Sequence, residues 1–168
     1  AVLAPYTIDD VNNPGPNEAW TIAEEIAAAL EPHPQGKRKF RVQRNLYSVD
    51  GVDQDWHRHA HGTVALLIEG AKWTPPGMPD RDRAVDVVRP SWKVLLQRHL
   101  KGPSISGHVR DSEGFPVKAR VVIVEQQLFE GERCETRCRD GRFDRMLATP
   151  GTYTVRVLAD GHRPLQRR

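Results

Sequence analysis

Long apolar runs are missing from this chain. None exceeds five residues, the length of Val64-Ala65-Leu66-Leu67-Ile68, against the roughly 20 that a spanning helix needs. That run has the length of a buried strand, and no membrane span is expected. A bias toward one sign of charge is also missing. The 25 basic and 22 acidic residues are interleaved, whereas nucleic-acid binding shows itself as a basic face or stripe. No nucleic-acid partner is expected, and Lys37-Arg38-Lys39 reads as a solvated turn. There is no starting Met, and no charged segment precedes Ala1-Val2-Leu3-Ala4-Pro5. These residues read as a strand inside a domain rather than as a signal peptide.

Cysteine is scarce. Cys134 and Cys138 stand four positions apart. On one extended strand their Cα atoms would lie about 13 Å apart, beyond the reach of a disulfide. A turn between them would permit one; the plainer reading is two small half-buried thiols. With no second pair in metal-ligand spacing, they are weak metal candidates.

What is present fits a soluble globular chain of one ordinary domain or two small ones. The pattern changes near Lys101-Gly102-Pro103. Before it, helix and strand signals alternate. Residues 1–6 read as a short apolar strand. Turn chemistry follows at Asn12-Asn13-Pro14-Gly15-Pro16-Asn17. Ala19, Ile22, Ala23, Ile26 and Leu30 then recur at helical spacing, with Asn17 as N-cap and Pro32 as stop. Residues 40–47 alternate as a strand does. The run 63–69 predicts a central strand buried on both faces, ending in Glu69. Ser91 is placed to cap a last helix with Trp92, Leu95, Leu96 and His99 as its stripe, stopped at Gly102-Pro103. Strands with covering helices imply an α/β layer. From Ser104 onward the signals are short strands (105–109, 117–124, 142–147 and 152–158) between Gly/Asp turns. That pattern argues an all-β sandwich. The expected division is 1–102 and 103–168.

The chemistry-bearing segment is residues 46–72, LYSVDGVDQDWHRHAHGTVALLIEGAK. Tyr47 opens a loop containing Asp50, Gly51 and Asp53 that runs into Asp55-Trp56. A phenol on a loop and a carboxylate at a strand end can converge on one cleft. Read singly, Glu69 is equally a paired structural carboxylate and Tyr47 a half-buried aromatic. His57, His59 and His61 alternate, so on an extended segment they would point one way, as metal ligands can. A solvent-exposed His-rich turn is the reading preferred for them.

Tyr47 and Glu69 are 22 positions apart, and with Gln54-Asp55-Trp56 this segment resembles the zinc carboxypeptidases. The triplet is most like their N/E branch. Val52 stands where that loop often has a second Gly, and His57-Arg58 replaces an Asn-Tyr pair. The resemblance implies that Glu69 is the general base and that Tyr47 closes over the cleft onto the substrate's carboxylate or scissile amide. Asp55 would be structural, bracing the loop or the active-site wall. Ala1 to Tyr6 resembles the continuation of the strand that carries the last zinc-ligand histidine. Asp9 takes the place of the acidic residue that favours C-terminal Lys or Arg; read alone, it is a loop-solvated or capping residue.

The tail resembles the transthyretin-like (carboxypeptidase regulatory-like) module. The match lies in Gly107-His108-Val109, Gly114-Phe115-Pro116-Val117, Asp140-Gly141-Arg142-Phe143, Pro150-Gly151-Thr152-Tyr153 and Asp160-Gly161-His162. The fold implied is an incomplete α/β layer, a mixed sheet with covering helices, followed by a transthyretin-like sandwich. The function implied is zinc-dependent removal of C-terminal residues from peptides or proteins, in a family of secreted enzymes. The sequence has no His-x-x-Glu, so the zinc and its ligands would belong to a missing N-terminal half of the catalytic domain. The competing readings are a non-catalytic pseudo-peptidase or binding module that uses the sandwich, and a related amidase.

Overall fold

The computed structural model describes residues 1–8, 18–32, 38–44, 47, 49–71 and 77–168. The first sheet is small and mixed. Strand β1 (Val2–Leu3) lies between β2 (Val42–Gln43), which is parallel to it, and β3 (Leu67–Ile68), which is antiparallel. Val2 pairs with Val42 on one side and Ile68 on the other. Val2, Leu3 and Ala4 are all buried, which suits a run with no polar side chain.

Helix α1 (Glu18–Ala29) packs on this sheet. Its Ile22, Ala23 and Ile26 share one cluster with Val2, Ala4, Leu30 and Phe40, the stripe that a period of 3.6 residues produces. Asn17, its expected cap, lies outside the described residues.

The apolar run 64–68 departs from its expected place. Only Leu67 and Ile68 form strand, and among the described residues β3 pairs with β1 alone. A strand with one neighbour keeps an uncovered edge, and Leu67 is 38% exposed. Residues 53–61 depart too. They form helix α2 (Asp53–His61) rather than a His-rich turn or an extended segment. Asp53 and Asp55 lie in its first turn, and Arg58, His59 and His61 in its last, the order that complements the helix dipole. Gly62 closes it in a left-handed conformation, its N–H donating to the Arg58 carbonyl at 2.8 Å.

Helix α3 (Met78–Val88) has no counterpart in the sequence reading. Val87 is its one buried residue, so its apolar periodicity is too weak to detect. Helix α4 (Pro90–Lys101) follows after a single residue. Ser91 does not cap it; its hydroxyl donates to the Val88 carbonyl at 2.6 Å. Ser91, Val94, Leu95 and Arg98 face inward, while Trp92, Leu96 and His99 of the predicted stripe are exposed.

Beyond Pro103 the regular structure is β alone. Strand β4 (Ser104–His108) pairs with β6 (Arg142–Met146). Strand β5 (Arg120–Ile123) pairs with β7 (Val155–Leu158), which in turn pairs with β8 (Leu165–Arg167). All pairs are antiparallel. Ala119, Val121, Ile123 and Leu147 are buried. β8 was not legible, because all three of its residues are exposed. No sheet closes into a barrel among the described residues. Nor is any described helix long and apolar enough to cross a membrane. Both thiols are free, Cys134 buried and Cys138 exposed.

A buried polar cluster joins the elements before and after Pro103. Arg58 on α2 is 2% exposed. It donates to Glu18 on α1 and, from Nε at 2.9 Å, to Glu132 on the β5–β6 connection. The Tyr6 hydroxyl donates to the same Glu132 oxygen at 2.6 Å. Burial alone would push the arginine's pKa down; the two carboxylates outweigh it and hold the pKa above the ordinary value. Burial, and then the bond to Glu132, raise the Tyr6 phenol well above its usual range.

Two predictions follow from this core. Arg58→Met strands two buried carboxylates and should cost about 3–5 kcal/mol of stability in urea unfolding; an unchanged midpoint would mean that the cluster is not structural. Burial raises the Cys134 thiol, so an aromatic disulfide reagent at neutral pH should label Cys138 fast and Cys134 only on unfolding. Equal rates would contradict the buried placement.

Candidate active site

Glu69 follows β3 directly, and its position is set by backbone. Its N–H donates to the Ala1 carbonyl at 2.9 Å, extending the β1–β3 ladder by one residue. Gly70 comes next, where a Cβ would stand 2.9 Å from the Val88 side chain of α3. The absence of a side chain there lets α3 close behind Glu69. Tyr47 lies beyond β2 and is 58% exposed. Its hydroxyl donates to Glu69 Oε1 at 3.1 Å. Two residues 22 positions apart in sequence thus meet at a single oxygen. The bond to Glu69 raises the Tyr47 pKa, since ionisation would set a phenolate against a carboxylate.

Behind this pair, α2 is braced to the segment after β1. Asp55 Oδ2 accepts from the Thr7 N–H and the Thr7 hydroxyl, each at 2.8 Å. Burial raises the Asp55 pKa and the two Thr7 bonds partly offset this. The bracing role expected of Asp55 takes this form, with Thr7 as the partner that sequence reading did not identify. Gln54 is buried beside it and helps line a small recess of about 60 Å³ with Leu3, Tyr47, Val49, Val52 and Leu67. Arg44 also reaches this recess, its guanidinium 5.0 Å from the Trp20 ring. Asp9, the expected specificity residue, lies outside the described residues.

The three alternating histidines do not converge. His59 turns inward, its ring 6.4 Å from Tyr6 and 6.3 Å from Phe129. His57 and His61 stay outside on the other side of α2. Among the described residues no three His, Cys, Asp or Glu side chains are grouped to hold a metal. The Arg58 cluster was missed in the sequence, because its partners lie 40 and 74 positions away and no local pattern marks them.

The site is a carboxylate on a fixed strand end beside a phenol on an exposed loop, with a recess alongside. No family model matches the chain, nor does any curated protein or solved structure.

Glu69→Gln should return the Tyr47 phenol toward its ordinary pKa in an ultraviolet titration. The sign follows from the raised value: the hydrogen bond is complete below the ordinary tyrosine pKa and is lost as pH rises through the raised one. A Tyr47 transition that does not move on Glu69→Gln would dissolve the pairing.

Proposed function

We propose that this chain carries the proton-transfer part of a zinc-dependent carboxypeptidase, with a transthyretin-like sandwich after the C-terminal part of the catalytic domain. The observation that supports this reading is the 3.1 Å bond between Tyr47 and Glu69, the two residues that the family resemblance singles out. The chain's own residues do not fit a zinc site. They contain no His-x-x-Glu and, as described, no three-ligand group. On this reading the zinc would be held by the N-terminal half of the domain.

Glu69 acts on protons. Its carboxylate takes one from the attacking water and returns it to the leaving amine of the C-terminal residue. Both transfers need an oxygen held within hydrogen-bond reach, which the backbone bond from Glu69 N–H to Ala1 favours. Tyr47 acts as a donor. An ordinary phenol is protonated at neutral pH, and the bond to Glu69 shifts this one further in the same direction. Exposed as it is, it can leave Glu69 for the substrate's terminal carboxylate or scissile amide. The recess beside it gives the terminal side chain its first apolar contacts, with Leu3, Val49, Val52 and Leu67. Asp9 would pair with a C-terminal Lys or Arg.

In the protein that includes the zinc-binding half, Glu69→Gln should lower turnover of C-terminal peptide bonds by about 10²–10⁴-fold, the range that general acid–base groups supply, with zinc content unchanged. Retained turnover would remove Glu69 from the role of base. Tyr47→Phe should cost much less, because the phenol binds and does not transfer the proton. Asp9→Ala should reduce cleavage after basic C-terminal residues selectively; equal loss on all substrates would refute its role in specificity.

A further inference from the structure

The C-terminal turn of α2 presents a second, separate arrangement. His57 and His61 are four positions apart on one helix, so their side chains share a face. Both are exposed. Their ring centroids stand 6.1 Å apart. Two imidazoles on one metal ion stand roughly 4.5–5.5 Å apart between centroids, given a metal–nitrogen distance of about 2.0–2.1 Å. Rotation of the two exposed side chains that closes the gap by about 1 Å therefore brings both onto a common ion. This is the i, i+4 spacing by which paired histidines on a helix hold zinc.

The backbone under the pair is held in place. Gly62 caps the helix, the Arg133 N–H donates to the His59 carbonyl at 3.1 Å, and Arg58 between the two histidines is anchored in the buried cluster. Little ordering is needed on binding. The pair also lies at a helix C-terminus, where the dipole favours a cation. His61 further lines a cleft of about 360 Å³ between α2, α4 and the β4–β6 sheet, with His99, Ser104, Ser106, Arg142 and Asp144. An ion held by two nitrogens keeps coordination positions open for water or a small anion, and the cleft at His61 has room for either.

We propose that His57 and His61 form a surface site for a divalent transition-metal ion of the copper, nickel and zinc class. It is independent of the zinc of the peptidase reading. Imidazole suits these ions, and copper(II) binds tightest among first-row divalents. Trp56 reports on the site, its ring 4.9 Å from His57 and 5.0 Å from His61.

The test is copper(II) titration of the metal-free chain with its exposed Cys138 thiol alkylated beforehand, so that it cannot reduce the ion, followed by tryptophan fluorescence and electron paramagnetic resonance. The expected result is saturable uptake of one ion with quenched emission and nitrogen hyperfine structure. His57→Ala and His61→Ala should each weaken binding by at least about tenfold, since even an outer-shell partner of a ligand is worth about 10–100-fold. His162→Ala, an exposed histidine elsewhere, should change nothing. Trp56→Phe should remove most of the quench and keep the resonance signal. Copper-induced broadening of amide signals in the unaltered chain should centre on residues 57 and 61, which requires no substitution. The proposal is overturned if the variant carrying both His57→Ala and His61→Ala binds as tightly as the parent, if the broadening centres elsewhere, or if uptake does not saturate.

Discussion

Arg58 is the residue on which the arrangement of the chain depends. A guanidinium taken out of water must have its charge answered by partners or it costs several kcal/mol. Here the answers come from Glu18 on α1 and Glu132 far along the chain, with Tyr6 donating to the same carboxylate. Three elements that share no sequence neighbourhood must arrive together for any of these groups to be buried. That requirement fixes the roll of α2. With Arg58 pointing inward, Asp55 one turn earlier also meets the interior and takes both donors of Thr7. His57 and His61 are left outside by the same rotation.

The candidate site inherits its division of labour from this frame. Glu69 stands at a strand end whose backbone is already paired, so the main chain that carries its carboxylate is fixed. Tyr47 sits outside the sheet with most of its ring in solvent. A base gains from being fixed, because proton transfer is sensitive to distance. A clamp gains from being able to move. The asymmetry between the two side chains in exposure and backbone support is what the proposed chemistry requires of them.

Much of this was legible in the sequence, and the part that was not has a physical cause. The α1 stripe was readable because burial on one face of a helix leaves a periodic mark at Ile22, Ala23 and Ile26. Glu69 stood out as a charged residue closing an apolar run, whereas Tyr47 was set beside it only by the family resemblance; their hydrogen bond is seen in the structure, and their roles belong to the proposal. Helix α2 was misread because it is polar nearly all round and buries Gln54, Asp55 and Arg58 rather than aliphatic side chains. Its end charges and its Gly62 cap were the available signals, and alternating histidines drew the reading toward extended chain. The α4 stripe was misassigned by choosing the most apolar residues: Trp92 and Leu96 face out, while Arg98 faces in and donates to Glu25 and to the Leu147 and Ala148 carbonyls. The Arg58 cluster had no local signature at all.

The reading of residues 64–68 as a doubly covered strand failed in an informative way. Five consecutive apolar side chains are what a strand needs when neighbours cover both faces and both edges. Among the described residues β3 has one neighbour, β1, and Leu67 is exposed. Val85, Trp92, Leu96 and Leu100 leave further apolar surface uncovered on α3 and α4. The local sequence could not announce this, because whether an apolar run is covered depends on partners that the run itself does not name.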